Sequence, residues 1–138
     1  MRKETSTNLS NEQLININCG IAYTLSLIGG RWKPSILARL LAGKVRYSDL
    51  KRSITNVSER ILILQLRELE KDGLVKRTVY PQVPPKVEYE LTETGLSMRP
   101  LLYSLSEWGN QHKQDIGMEP GEACFNQAEE SLPALITE

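Results

Sequence analysis

A mainly α fold carrying one small β-hairpin is predicted by three features of this 138-residue sequence. An amphipathic helix with a capping serine starts near Ser58 and stops at Gly73. Two segments dense in Val, Thr and Tyr follow it, Leu74 to Tyr80 and Lys86 to Leu91, at the composition expected of strands. Between them lies Pro81-Gln82-Val83-Pro84-Pro85, whose three prolines lack N–H groups. Such a segment cannot pair as a central strand and projects as a stiff loop. Helix, turn, helix and a two-stranded wing is the order of a winged helix-turn-helix.

The elements follow in chain order. Ile21 to Gly29 places Tyr23, Leu25 and Ile28 in a short helical pattern that Gly29-Gly30 stops. Pro34 suits the first turn of a second helix running to about Ala42, because its missing N–H would be unpaired there anyway. Trp32, Ile36, Leu37, Leu40 and Leu41 give that helix a buried face, and Gly43 closes it. Tyr47 to Ile54 reads as a third helix, with Ser48 as cap and Leu50 and Ile54 inward. After the turn Thr55 to Val57, Ser58 is the N-cap of the fourth helix and Glu59 sits favourably in its first turn.

Leu62, Leu66 and Leu69 share one stripe of that fourth helix, while Arg67, Glu68 and Lys71 read as a solvated face. Ile61, Ile63 and Leu64 widen the apolar surface, so part of it is expected to be covered. In the second wing strand, Val87, Tyr89 and Leu91 alternate with Lys86, Glu88 and Glu90. Thr92 caps a last helix running from Glu93 to about Lys113, with Leu96, Leu101, Leu102, Leu105 and Trp108 apolar.

The length suits one domain at 17–113 between a tail at 1–16 and an acidic, flexible tail at 114–138. Net charge is zero but unevenly placed. Residues 31–90 hold thirteen Lys/Arg against seven Asp/Glu, whereas residues 91–138 hold two against eight. The basic surplus coincides with the helix-turn-helix and wing, where phosphate contacts would be made. No stretch is long and apolar enough to span a membrane and no signal peptide opens the chain, which points to the cytoplasm. Cys19 and Cys124 lie too far apart for a metal motif, and His112 is the one histidine. No phosphate loop, nucleophile elbow or catalytic triad signature is present, so neither an enzyme nor a cofactor or metal site is expected.

IGGRWKPSIL at 28–37, YSDLKRSI at 47–54, SERILILQLRELEKDGLVKR at 58–77, YPQVPPKVEYELTETG at 80–95 and SEWG at 106–109 together resemble the HxlR-type bacterial transcriptional regulators, relatives of the MarR group. The resemblance covers about Cys19 to Trp108. It implies a homodimeric winged-helix DNA-binding protein in which the helix after the wing packs with the N-terminal helix across a two-fold axis, using Tyr23, Leu101, Leu105 and Trp108. Family members usually carry polar residues at the positions of Ile63 and Leu64, and this chain departs from that pattern.

In a helix-turn-helix the first residues of the recognition helix meet base edges, so Ser58, Glu59, Arg60, Ile61 and Gln65 are the base-reading candidates, Arg60 for guanine and Gln65 for adenine. Arg46, Lys51, Arg52, Arg77 and Lys86 are the candidates for phosphate or minor-groove contact; Lys86 has the plainer reading of keeping a hairpin tip soluble. A dimer predicts a pseudo-palindromic operator, and repression is the expected outcome. Cys19, at the start of the first helix, reads either as a thiol sensor of oxidants or electrophiles, as the resemblance implies for some members, or as a small buried residue. Two other readings stay open: a ligand-responsive MarR-like regulator with an effector pocket between dimer helices and DNA-binding lobe, and a winged-helix protein-interaction module without DNA function.

Overall fold

A computed structural model describes residues 18–119 together with Asn11 and Gln13. Of the expected tails, 1–16 is described only at Asn11 and Gln13 and 114–138 only at residues 114–119; Cys124 lies outside the described residues. The chain divides into two compact units, Met1–Gly30 and Arg31–Glu138.

In the first unit, α1 (Gly20–Ile28) follows Cys19 at its N-cap. It stops as expected at Gly29, whose N–H donates to the Leu25 carbonyl at 2.7 Å, and at Gly30, whose φ of 104° favours glycine.

In the second unit, α2 (Lys33–Leu40) carries Pro34 in its first turn and ends two residues short of the expected Ala42. The chain then turns at Gly43, whose N–H reaches the Leu40 carbonyl at 3.2 Å. Next comes a two-residue strand not expected from the sequence, β1 (Val45–Arg46), too short to show any alternation. Its pairing, Val45 with Tyr89 and Arg46 with Glu88, corrects the helix boundary that follows. Arg46 is held extended (φ −69°, ψ 143°), so α3 (Tyr47–Ser53) begins at Tyr47 and Ser48 falls inside its first turn, not at its cap.

The fourth helix, α4 (Glu59–Lys71), is capped by Ser58, whose Oγ accepts from the Ile61 N–H at 3.1 Å. It ends through Gly73, at φ 79°. The wing strands are β2 (Val75–Tyr80) and β3 (Lys86–Leu91), and the sheet order is β1-β3-β2, all antiparallel. The single helix expected after the wing is two. Thr92 caps α5 (Glu93–Leu96) through the Gly95 N–H, and α6 (Arg99–Asp115) starts anew with Pro100 in its first turn. Pro100 has no N–H to offer the Leu96 carbonyl, so one continuous helix could not be hydrogen-bonded through this point. Gly95 permits a tight approach, since a Cβ there would overlap the Leu74 carbonyl oxygen.

Ile36, Leu37, Leu40, Leu50, Leu62, Leu66, Leu69, Leu74 and Val75 form the fully buried centre, joined by Leu41, Ile54, Val57, Tyr89, Leu91 and Leu102. Burying each large aliphatic side chain contributes about 1.5–3 kcal/mol. Accordingly α2 packs on α4, α3, β3 and α6, and its burial fixes how α4 is turned.

Candidate nucleic-acid interface

The rotation of α4 decides which side chains can meet a partner. With Leu62, Leu66 and Leu69 at 1% exposure or less, Glu59 and Arg60 are left exposed and Ile61 and Gln65 half-buried beside them. Asn56, at φ 68°, makes the turn that aims this helix start outward; Asn tolerates the left-handed region better than most residues. Arg60 and Gln65 have no hydrogen-bond or ion-pair partner among the described residues. Ser58 is committed to the cap. Glu59 is engaged from another element, because the Tyr47 hydroxyl donates to its Oε1 at 3.3 Å. Burial holds the Tyr47 hydroxyl above its ordinary pKa, and the neighbouring Glu59 carboxylate adds to the effect.

The five candidate backbone cations are placed differently. Arg46 is exposed and Lys51 half-buried, and neither has a partner among the described residues. Arg52 pairs with Asp49 at 2.6 Å on the open surface, where such a pair contributes little and is readily exchanged for another anion. Arg77 and Lys86 do not share a face. The register couples Arg77 to Tyr89 and Val79 to Val87 on one side of the wing, and Thr78 to Glu88 and Tyr80 to Lys86 on the other. Lys86 therefore opens β3 at the foot of the loop, with its ammonium 3.4 Å from Glu88 and 4.8 Å from the Tyr80 ring centroid. The loop itself, Pro81 to Pro85, is exposed throughout.

On the face of α4 expected to be solvated, Arg67 and Lys71 are exposed, whereas Glu68 is half-buried and engaged. Glu68 pairs at 2.7 Å with Lys33, a lysine whose side chain is only 9% exposed, and so ties the start of α2 to α4. Arg67 borders a cleft of about 290 Å³ between α4 and the wing, together with Tyr47, Ile63, Glu70, Arg77, Val87 and Tyr89. The expected cover over the widened apolar stripe exists in part: Ile63 is half-buried in that cleft, whereas Leu64 is 47% exposed. Tyr47 carried no signal in the sequence, since its hydrogen-bond partner Glu59 lies twelve residues away on another element.

In α1, Cys19 is a free, exposed thiol and its side chain makes no capping bond; Tyr23 is 53% exposed. On α6, Leu101, Leu105 and Trp108 recur at helical spacing and are 37%, 48% and 70% exposed, while Leu102 faces the core. The Trp108 and His112 rings stack 5.1 Å apart on the same surface, with His112 in the last turn as expected. No His, Cys, Asp and Glu grouping able to hold a metal occurs among the described residues. No helix among them is long and apolar enough to cross a membrane.

A capped recognition helix packed on a three-helix core, with an antiparallel hairpin beside it, defines the class: this is a winged helix-turn-helix. The chain belongs to the HxlR-like helix-turn-helix family, whose model matches residues 27–116. Among its relatives, the HTH-type transcriptional regulator YdeP of Bacillus subtilis is 45% identical over 98 residues, 71% of this chain and 77% of that protein. YtcD of the same organism is 52% identical over 95 residues, 69% of this chain and 75% of that protein. Among solved structures, the redox regulator HypR in its oxidised form is 46% identical and superposes with a TM-score of 0.64, over 67% of this chain and 96% of that one. Its reduced form gives 0.66 at 44% identity, over 70% and 95%. The protein is thus a transcriptional regulator of HxlR/MarR type, and its family comprises regulators, not enzymes.

Proposed function

We propose that this regulator is a homodimer that binds duplex DNA at a pseudo-palindromic operator, represses from it, and is released by oxidation or alkylation of Cys19. The observation that carries the DNA reading is the start of α4. Exposed Arg60 in the first turn of the capped helix and half-buried Gln65 in its second have no partners among the described residues, and neither do Arg46, Lys51 and Arg77. Arg60 supplies the forked donor that suits guanine and Gln65 the donor–acceptor pair that suits adenine. The flanking cations neutralise phosphates and fix register without reading sequence.

The dimer reading is supported by the exposed apolar surface on α6, which a second copy would cover. The sensing reading is supported by Cys19 being a free, exposed thiol in the single chain, and by the likeness to a protein described as a redox regulator. One experiment tests DNA binding, symmetry and half-site spacing together: selection of bound sequences from a random duplex pool by the purified chain. Enrichment of a two-fold motif with half-sites one or two helical turns apart is expected, and affinity for it should fall steeply with salt. Recovery of unselected pool sequence would refute the reading. Diamide should then release the selected operator from the native chain and not from Cys19→Ser; equal release from both would remove the cysteine.

A further inference from the structure

One apolar side chain of α4 stands where that helix would meet a partner first. The core holds Leu62 and Leu66 at 0% and 1% exposure. At 3.6 residues per turn, Leu64 lies about 160° around the axis from each of them. It therefore sits on the crest of the helix, 47% exposed, and no other exposed residue of α4 is apolar. Its neighbours on that face are cations: Arg60 one turn before it, Arg67 one turn after it and Lys71 two turns after it. All three are exposed and have no hydrogen-bond or ion-pair partner among the described residues. The acid nearest to Leu64, Glu68, is paired with Lys33 at 2.7 Å, and Glu59 is held by the Tyr47 hydroxyl. Glu70 stands about 120° around the axis from Leu64. The crest of α4 is thus a single leucine in a positive field.

A lone exposed leucine is ordinary on a protein surface, so it is the placement of this one that carries information. A protein partner would need a contiguous apolar patch to seat it, and α4 offers only cations around it. A DNA duplex answers the charge. Its major groove admits a helix and presents one kind of apolar group, the 5-methyl of thymine. We propose that Leu64 packs on a thymine methyl in each half-site and so makes the chain select thymine there. This rests on the reading of α4 as the helix that enters the major groove, and it adds an apolar reader to Arg60. Four residues separate the two side chains, a rise of about 6 Å along the helix, which is close to two base-pair steps of about 3.4 Å. The thymine is therefore expected about two base pairs from the guanine that Arg60 reads.

The test replaces each thymine of the selected operator in turn by deoxyuridine and measures the affinity of the full chain by fluorescence anisotropy. The exchange removes only the methyl and leaves every hydrogen-bonding group of the base edge in place. Uncovering one buried methyl should weaken the native chain about fourfold at one thymine of each half-site. Leu64→Ala should bind the thymine and uracil forms alike, while Leu64→Met, which keeps an apolar contact, should retain the preference. Leu64→Ala should also lose affinity for the operator and none for random duplex. Because Leu64 lies outside the core, both variants keep the fold, which a melting curve verifies. Uracil tolerated at every position by the native chain, an equal uracil penalty in Leu64→Ala, or equal losses of Leu64→Ala on operator and random duplex would each overturn the proposal. In those three cases the selected motif still stands and the DNA reading with it, whereas failure to select any motif would remove both.

Discussion

The helices α4 and α6 are both amphipathic, yet they meet their surroundings in opposite ways. On α4 the apolar stripe is sealed inside the chain, with Leu62, Leu66 and Leu69 at 0%, 1% and 0% exposure, and the outward start of the helix is polar and cationic. On α6 only Leu102 is sealed, at 3%, and the stripe left open is Leu101, Leu105 and Trp108. An exposed polar face keeps its hydration until a charged partner replaces it, whereas a contiguous apolar face this open marks an association surface. The proposed function rests on this difference: it gives a polyanion to the start of α4 and a second copy of the chain to α6.

The contrast can be broken from the buried side first. Leu66→Ala opens a cavity in the core where α4 packs on α2 and β2, and should cost about 2–5 kcal/mol of folding stability, read as a lower denaturant midpoint with little change in slope. A loss below about 1 kcal/mol would mean the site collapses around the smaller side chain. The corresponding change on α6 behaves differently. Leu105→Glu replaces a side chain that is 48% exposed, so the fold of one chain is retained while association is lost. Truncated anchors of an interface commonly cost about 2 kcal/mol or more, so the dimer dissociation constant should rise at least about thirtyfold, measured by sedimentation or light scattering. An unchanged dimer would place the interface elsewhere.

At the polar start of α4 the effects are smaller and concern selectivity. Arg60→Ala should lose about 1–3 kcal/mol on the selected operator and little on random duplex, because its proposed contact is with base edges. Lys51→Ala should lower both affinities alike and reduce the slope of log affinity against log salt by about one. Equal losses on operator and random duplex in Arg60→Ala would make this arginine another backbone contact.

How much of this was legible depended on the range of each interaction. The Ser58 cap, the Leu62, Leu66 and Leu69 stripe and the Gly73 stop are encoded within a few residues, and each stands where the spacing put it. β1 was not legible, because two residues carry no alternation and are ordered only by Tyr89 and Glu88, more than forty positions later. The same pairing displaced the expected Ser48 cap. The break before Pro100 was locally encoded but masked by Leu96 before it and Leu101, Leu102 and Leu105 after it, which read as one apolar pattern. Among the site residues, sequence spacing placed Arg60 and Gln65 outward. It had no means of telling that Arg77 and Lys86 lie on opposite faces of the wing, or that Tyr47 holds Glu59, since strand register and a contact between α3 and α4 decide those.

The smallest expected effect lies on the wing face away from the cleft. There the Tyr80 hydroxyl donates to the Glu88 carboxylate and holds it below its ordinary pKa, with Lys86 and Lys44 adding to the shift and desolvation opposing it. A carboxylate whose folded pKa is depressed binds its proton less readily folded than unfolded, so its contribution is present above the ordinary value of about 4.5 and is lost as pH falls through the depressed folded value. Acidification from above the ordinary value of about 4.5 should therefore loosen the pairing of Thr78 and Tyr80 with Glu88 and Lys86. Amide protection or chemical shifts of Thr78 and Tyr80 followed through an acid titration would register this. Glu88→Gln, which still accepts from Tyr80 but cannot titrate, should flatten the curve. A wing that loosens identically in both proteins would show that Glu88 does not carry the acid effect.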